Sequence, residues 1–133
     1  MMMMLIPFGV INKNGRRYLS EEVEFIEDRP LLGTLVHPMD KDSLWMGKIP
    51  IADVAATAKV IRAQDGIYID IKFEGVQGLL MEEGIANGLT PVANGFGRLD
   101  EDGTVREFKL VSFFLTNVSA FETLSEPVNN NKA

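Results

Sequence analysis

The tripeptide Gln64-Asp65-Gly66 constrains this chain more than any other local feature. Asp-Gly between two β-rich runs supplies the positive φ of a tight turn, so residues 53–63 and 67–73 are expected to fold back on each other as a hairpin. In the second arm Ile67, Ile69, Ile71 and Phe73 alternate with Tyr68, Asp70 and Lys72. That period of two turns one face to a core and the other to water. A second pair of β-rich runs, Val92 to Leu99 and Thr104 to Thr116, flanks Asp100-Glu101-Asp102-Gly103. Two such hairpins predict a β-rich α+β fold, a single antiparallel barrel or sandwich rather than a parallel α/β sheet.

The remaining segments fill in around these hairpins. Met1 to Ile11 is apolar and is expected to supply the first strand, with the methionine run standing in front of it. The run is too short to span a membrane, has no basic n-region, and shows no targeting signal. Asn12-Lys13-Asn14-Gly15 is a turn. Ser20 followed by Glu21 and Glu22 reads as the N-cap and first turn of a short helix that ends at Arg29-Pro30. Leu31 to Val36 is a short strand, and Met39 to Pro50, with no period, is a loop. Val76, Leu79, Leu80 and Ile85 recur at helical spacing, predicting a second short helix of about three turns with Gly88 as its stop. The unbroken run Phe113-Phe114-Leu115 predicts a strand covered on both faces, by a helix inside the domain or by a neighbouring subunit. Residues 1–121 are thus expected to form one domain and 122–133 a flexible tail.

Composition narrows the function classes. At 133 residues the chain has room for one core but not two. It has no cysteine, which removes disulfides, thiolate nucleophiles and Cys-based zinc sites. A single histidine leaves little for a histidine metal site, so no metal and no cofactor is expected. The net charge of -6, with no basic stripe, argues against nucleic acid.

The one histidine, His37, lies in Gly33-Thr34-Leu35-Val36-His37-Pro38. It has the chemistry of a general base, and equally that of a residue that only hydrogen-bonds its loop. The glycine-rich stretch Gly88-Leu89-Thr90-Pro91-Val92-Ala93-Asn94-Gly95-Phe96-Gly97 offers amide donors for an oxyanion or, more simply, a strand bend at Gly95 and Gly97. Thr90 is its one hydroxyl, and Pro91 directly after it holds Thr90 extended. Ser112 and Ser119 lie in or beyond the closing strand and have weaker claims as nucleophiles. Asp40, Asp53 and Glu74 are acids that could orient a base, among which the sequence does not choose. Trp45 and Met46 sit in the long loop, where a tryptophan either covers the barrel end or meets a partner.

Several of these segments, in this order, resemble the prohead core proteases of tailed bacteriophages, a family similar in fold to the herpesvirus assemblins. Asn12-Lys13-Asn14-Gly15-Arg16-Arg17-Tyr18 looks like the family's Asn-x-Asn-x-Arg-x-Tyr, and Gly33 to Pro38 like its Gly-x-Leu-x-His-Pro. Residues 52–73 are similar to its hairpin, and 79–87 to the helix before its nucleophile. Asn94-Gly95-Phe96-Gly97 stands where the family has Arg-Gly-x-Gly. Glu107 to Leu110 and Val118 to Phe121 look like its closing strand and Pro-Ser-Ala end. The resemblance spans residues 6–121. It implies a prohead-protease-like barrel with His37 at the position of the catalytic base.

The departure from the pattern decides what the resemblance implies about activity. Where the family has Ser-Ser-Arg-Gly this chain has Val92-Ala93-Asn94-Gly95. Neither Val92 nor Ala93 carries an atom that could attack a carbonyl, and loss of a triad nucleophile removes orders of magnitude in rate. The resemblance therefore implies a pseudoenzyme, in which His37 is vestigial. The expected function is that of a non-catalytic phage head protein, decorating the capsid or acting in its core and assembly. Its partners would be the major capsid protein and scaffold, in multiple copies, with an apolar strand face or the Trp45 loop as contact. It would reside in the virion head and, during assembly, in the host cytoplasm, binding neither nucleic acid nor membrane. The alternative is an active maturation protease cleaving scaffold and capsid tails, with His37 as base. A phage barrel unrelated to proteases would separate His37 and Gly95 to opposite ends.

Overall fold

The two expected hairpins form the frame of the computed structural model, which describes residues 1–12, 15–36, 49 and 51–116. Strands β5 (Val54–Arg62) and β6 (Gly66–Phe73) pair antiparallel across the Asp65-Gly66 turn, closed by the Ala63 amide on the Gly66 carbonyl at 2.9 Å. Ile67, Ile69 and Ile71 are buried, as the alternation requires. Strands β7 (Thr90–Leu99) and β8 (Thr104–Thr116) form the second hairpin, its turn tied by the Asp100 amide on the Thr104 carbonyl. Gly103 has φ +87 there, a conformation that the missing Cβ permits.

The other strands are β1 (Met2–Pro7), β2 (Arg17–Tyr18), β3 (Val23–Glu24) and β4 (Leu31–Thr34). One sheet runs β1-β6-β5-β4-β8, with β7 on the far side of β8, and curls into a half-barrel that brings β1 and β7 into contact. The fold is β-rich α+β, but the sheet is mixed rather than antiparallel throughout. β2, β3 and β4 succeed one another along a single edge of β8, all parallel to it. Between β3 and β4, residues 25–30 leave the ladder while β8 advances only through residues 110–111. Arg62 fixes the start of that excursion, donating to the Val23 and Ser20 carbonyls and lying 5.2 Å from the Phe25 ring centroid.

Two further expectations are corrected. Residues 20–27 do not form an α-helix: a single 3-10 turn at Ser20–Glu22, uncapped by any side chain, gives way to β3 because Val23 is drawn into the core and its backbone pairs with Phe108. The methionine run does not precede the first strand; Met2, Met3 and Met4 are the strand, in register with Asp70, Ile69 and Tyr68. The α-helix among the described residues, α1 (Gly75–Ala86), turns most of its regularly spaced apolar residues outward, with Ile85 alone of the four packing partly against the core. Gly78 and Met81 are buried, whereas Val76, Leu79 and Leu80 are 73%, 66% and 50% exposed.

This orientation has a steric cause. A Cβ at Gly78 would meet the Ala55 carbonyl oxygen at 2.8 Å and the backbone of Phe73 at 2.9 Å. A Cβ at Gly84 would meet Leu89 at 2.9 Å and Leu115 at 3.1 Å. The glycine side of the helix is what allows backbone to lie on sheet, so that side goes in. Gly88, at φ +102, then ends the helix as expected, with the Leu89 amide returning to the Gly84 carbonyl. The helix covers Leu115 and so settles the question of what lies over the Phe113-Phe114-Leu115 run on that face. Phe113 and Leu115 are buried within the domain, and Phe114, pointing to the opposite face, is half-buried. That strand face is therefore not open to a partner.

Candidate functional site

The segment that the resemblance aligns with the nucleophile is the first half of β7, a strand that pairs with β8 and contacts β1. The register gives a row across three strands: Thr34 of β4 opposes Phe114 of β8, which opposes Val92 of β7. Gly33, Phe113 and Ala93 form the next row, on the other face. Two strand spacings separate Thr34 from Val92, about 10 Å. The chain thus leaves β4 toward His37 at the same end of the sheet at which β7 begins. His37 itself lies outside the described residues, as do Asp40, Trp45, Met46 and Ser119, and so does the tail from 122 to 133.

Each position of the resemblance in β7 can be placed. Val92 and Ala93 are 6% and 7% exposed and, as neighbours in a strand, point to opposite faces of the sheet. Two serines here would not share one cleft. Asn94 is buried, and its Nδ2 donates to Ser112 Oγ at 3.1 Å. Ser112 is fully buried, so its hydroxyl is a structural acceptor for the amide rather than a nucleophile held by a base. Gly95 sits at a register shift between β7 and β8, where a Cβ would strike the Lys109 carbonyl and come within 2.8 Å of the Phe108 ring. The close approach of two backbones accounts for this glycine without an oxyanion role.

Phe113 seals the second row. Its ring lies directly over Gly33, and any side chain at that position would collide with it. Thr34, next along, is buried and donates Oγ1 to the Val36 carbonyl at 2.6 Å, shaping the exit of β4. The glycine and threonine of Gly33-Thr34 are thus explained by packing on β8.

Of the remaining candidates, Asp53 directly precedes Val54 of β5, which opposes Thr34, and the Glu74 amide donates to the Ala55 carbonyl one residue further on. Asp53 is exposed in a 3-10 turn before β5, and Glu74, preceding the helix, accepts from Thr57 Oγ1 at 3.3 Å. Thr90 is different. Its Oγ1 is buried and has no hydrogen-bond partner among the described residues. Among the described residues no group of three His, Cys, Asp or Glu side chains could hold a metal ion, and no helix is long and apolar enough to cross a membrane.

The lower half of the same hairpin is built quite differently. Glu107 adopts φ +52, a left-handed conformation unusual for a residue with a Cβ, at the second register shift of the pair. The Glu22 carboxylate holds it there, accepting the Glu107 amide at 2.9 Å and Arg106 Nη1 at 3.1 Å. The backbone bond first, and then the guanidinium, lowers the Glu22 pKa below the ordinary carboxylate value. Beside this bulge Phe25, Ile26, Arg29 and Pro30 of the 25–30 excursion line a groove of about 740 Å³ together with Phe96, Leu110 and Val111. Arg29 and Lys109 on its rim make no ion pair among the described residues, whereas Arg98 pairs with Asp100 and Glu107. No periodicity in the sequence pointed to this groove, because its wall is a segment that departs from the ladder.

No protein-family model, no curated protein and no solved structure matches this chain.

Proposed function

We propose that this protein is a non-catalytic phage head protein, built on a prohead-protease-like barrel that has lost its chemistry. The reading rests on the ordered resemblance over residues 6–121 and is supported by one structural observation above others. The place assigned to the nucleophile is packed core: Val92, Ala93 and Asn94 are buried against Phe114, Phe113 and Ser112, and the one hydroxyl among those six is occupied by the Asn94 amide. A serine protease needs its hydroxyl exposed beside a base and an oxyanion site. A head protein needs only a stable body and a surface, and it acts by complementarity to the major capsid protein or scaffold in repeated copies.

Co-expression with the phage's major capsid protein and scaffold tests this. Assembled shells are collected by sedimentation, and every component is weighed by intact mass. Co-sedimentation with full-length coat and scaffold is the expected result. Failure to sediment with shells would remove the head role.

The unpartnered Oγ1 of Thr90 is the observation that favours the second reading, an active maturation protease with His37 as base. That reading requires coat or scaffold truncations in the same assay that vanish in both His37→Ala and Thr90→Val.

A further inference from the structure

The helix α1 presents to solvent the side that its spacing assigns to a core. Val76, Leu79 and Leu80 stand at i, i+3 and i+4 and are all half or more exposed, forming one continuous aliphatic face. This face is not a loosely held surface. Gly78 and Gly84 fix the opposite side against Ala55, Phe73, Leu89 and Leu115, so the helix cannot roll to bury its leucines without driving Cβ-bearing residues into the sheet.

The charges on the helix itself are of one sign. The helix contains no lysine or arginine, while Glu82 and Glu83 stand exposed beside the leucines. Both lie toward the helix C-terminus, where the negative end of the helix dipole disfavours an acid. The Glu74 amide donates to the Ala55 carbonyl, which sets exposed Asp53 at the other end of the same helix. Exposed leucines and misplaced acids both work against the free protein, and features that break local rules in this way mark surfaces with a use. A second copy of this face would set acids against acids, so charge excludes self-pairing and selects an opposite partner.

We infer that the Val76–Leu79–Leu80 face of α1 is a docking site for a basic amphipathic segment of another protein. That segment would carry an aliphatic stripe to lie on the leucines, flanked by lysine or arginine to meet Glu82, Glu83 and Asp53. This is helix-on-helix recognition by apolar anchors with a charged rim. The partner's chemistry follows from the face alone; its identification with the capsid protein or scaffold rests on the head-protein reading.

Two arms test the inference separately from that reading. In the first, the purified full chain is titrated by fluorescence anisotropy with a labelled 14-residue amphipathic peptide of leucine and lysine, and with its leucine–glutamate counterpart. The lysine peptide is expected to bind at least tenfold tighter, and to lose at least tenfold in the Leu79→Ser/Leu80→Ser variant. It is expected to lose severalfold in Glu82→Lys/Glu83→Lys, with folding of both variants checked by circular dichroism. Equal binding of the two peptides, or indifference to the leucine substitutions, would overturn the proposal. So would a dimer in analytical ultracentrifugation that Leu79→Ser/Leu80→Ser dissolves, since the occupant would then be a second copy. In the second arm the same leucine variant enters the co-sedimentation assay. If the wild type sediments with shells and the variant sediments equally, the head reading stands and this surface assignment falls.

Discussion

Val92 and Ala93 on β7, and Val76 and Leu79 on α1, are similar side chains in opposite situations. The first pair is buried in the strand where a protease would need an exposed hydroxyl; the second is in water on a helix whose spacing calls for burial. In both places the partner surface, not the residue type, made the decision. The first half of β7 pairs with β8 and is buried from Pro91 to Asn94, so side chains there are core. Helix α1 meets the sheet through Gly78, Gly84 and Met81, so Val76, Leu79 and Leu80 are left outside. The contrast divides the molecule into a strand segment packed as core and a helix face left in water.

The largest expected effect comes from rewriting β7. The variant Val92→Ser/Ala93→Ser/Asn94→Arg introduces the Ser-Ser-Arg of the prohead proteases that the sequence resembles. It buries two hydroxyls and a guanidinium, a loss of at least about 3 kcal/mol that is expected to leave the chain largely unfolded by circular dichroism. A stable variant that cleaves scaffold would show that β7 is an open site and break the comparison.

A smaller change isolates the polar contact within that packing. Asn94→Ala is expected to lose roughly 1–3 kcal/mol in urea unfolding, because it leaves the Ser112 hydroxyl buried without its amide. Ser112→Ala added to it should lose less than the sum of the two single effects. Strict additivity would mean that the two side chains do not act as a pair.

Acid titration reaches the lower end of the hairpin. Glu22 has its pKa lowered in the folded state, so its bond to Glu107 and Arg106 stabilises the protein at neutral pH and is lost as pH falls through that lowered value. The stability difference between the wild type and Glu22→Gln is expected to be widest above roughly pH 5 and to shrink below about pH 4, the ordinary carboxylate range. A difference that grew on acidification would contradict the sign. The smallest effect belongs to α1: Leu79→Ser is expected to change stability by no more than about 0.5 kcal/mol, since the residue is exposed. A loss comparable to a core substitution would mean that the face is already covered in solution.

Much of the frame could be read from the chain because its signals are local. Asp65-Gly66 and Asp102-Gly103 set two hairpins, and Ile67, Ile69 and Ile71 marked their own buried face. The helix was legible in position but not in orientation. Spacing reports that a face exists, whereas which side meets the sheet depended on backbone approach at Gly78 and Gly84. The parallel pairing of β2 and β3 was hidden because each is two residues long, with no period to show. At the candidate site the sequence shows that Val92 and Ala93 carry no hydroxyl, but not that both are buried. The Asn94–Ser112 bond joins positions on facing strands, and no local pattern encodes it.

The central claim is that this chain carries no activated nucleophile, and the most direct test is covalent. The purified protein would be incubated with diisopropyl fluorophosphate at neutral pH and its intact mass recorded, beside a His37→Ala control. An unchanged mass is the expected result. A stoichiometric adduct on Thr90 or any serine, absent in the control, would contradict the account.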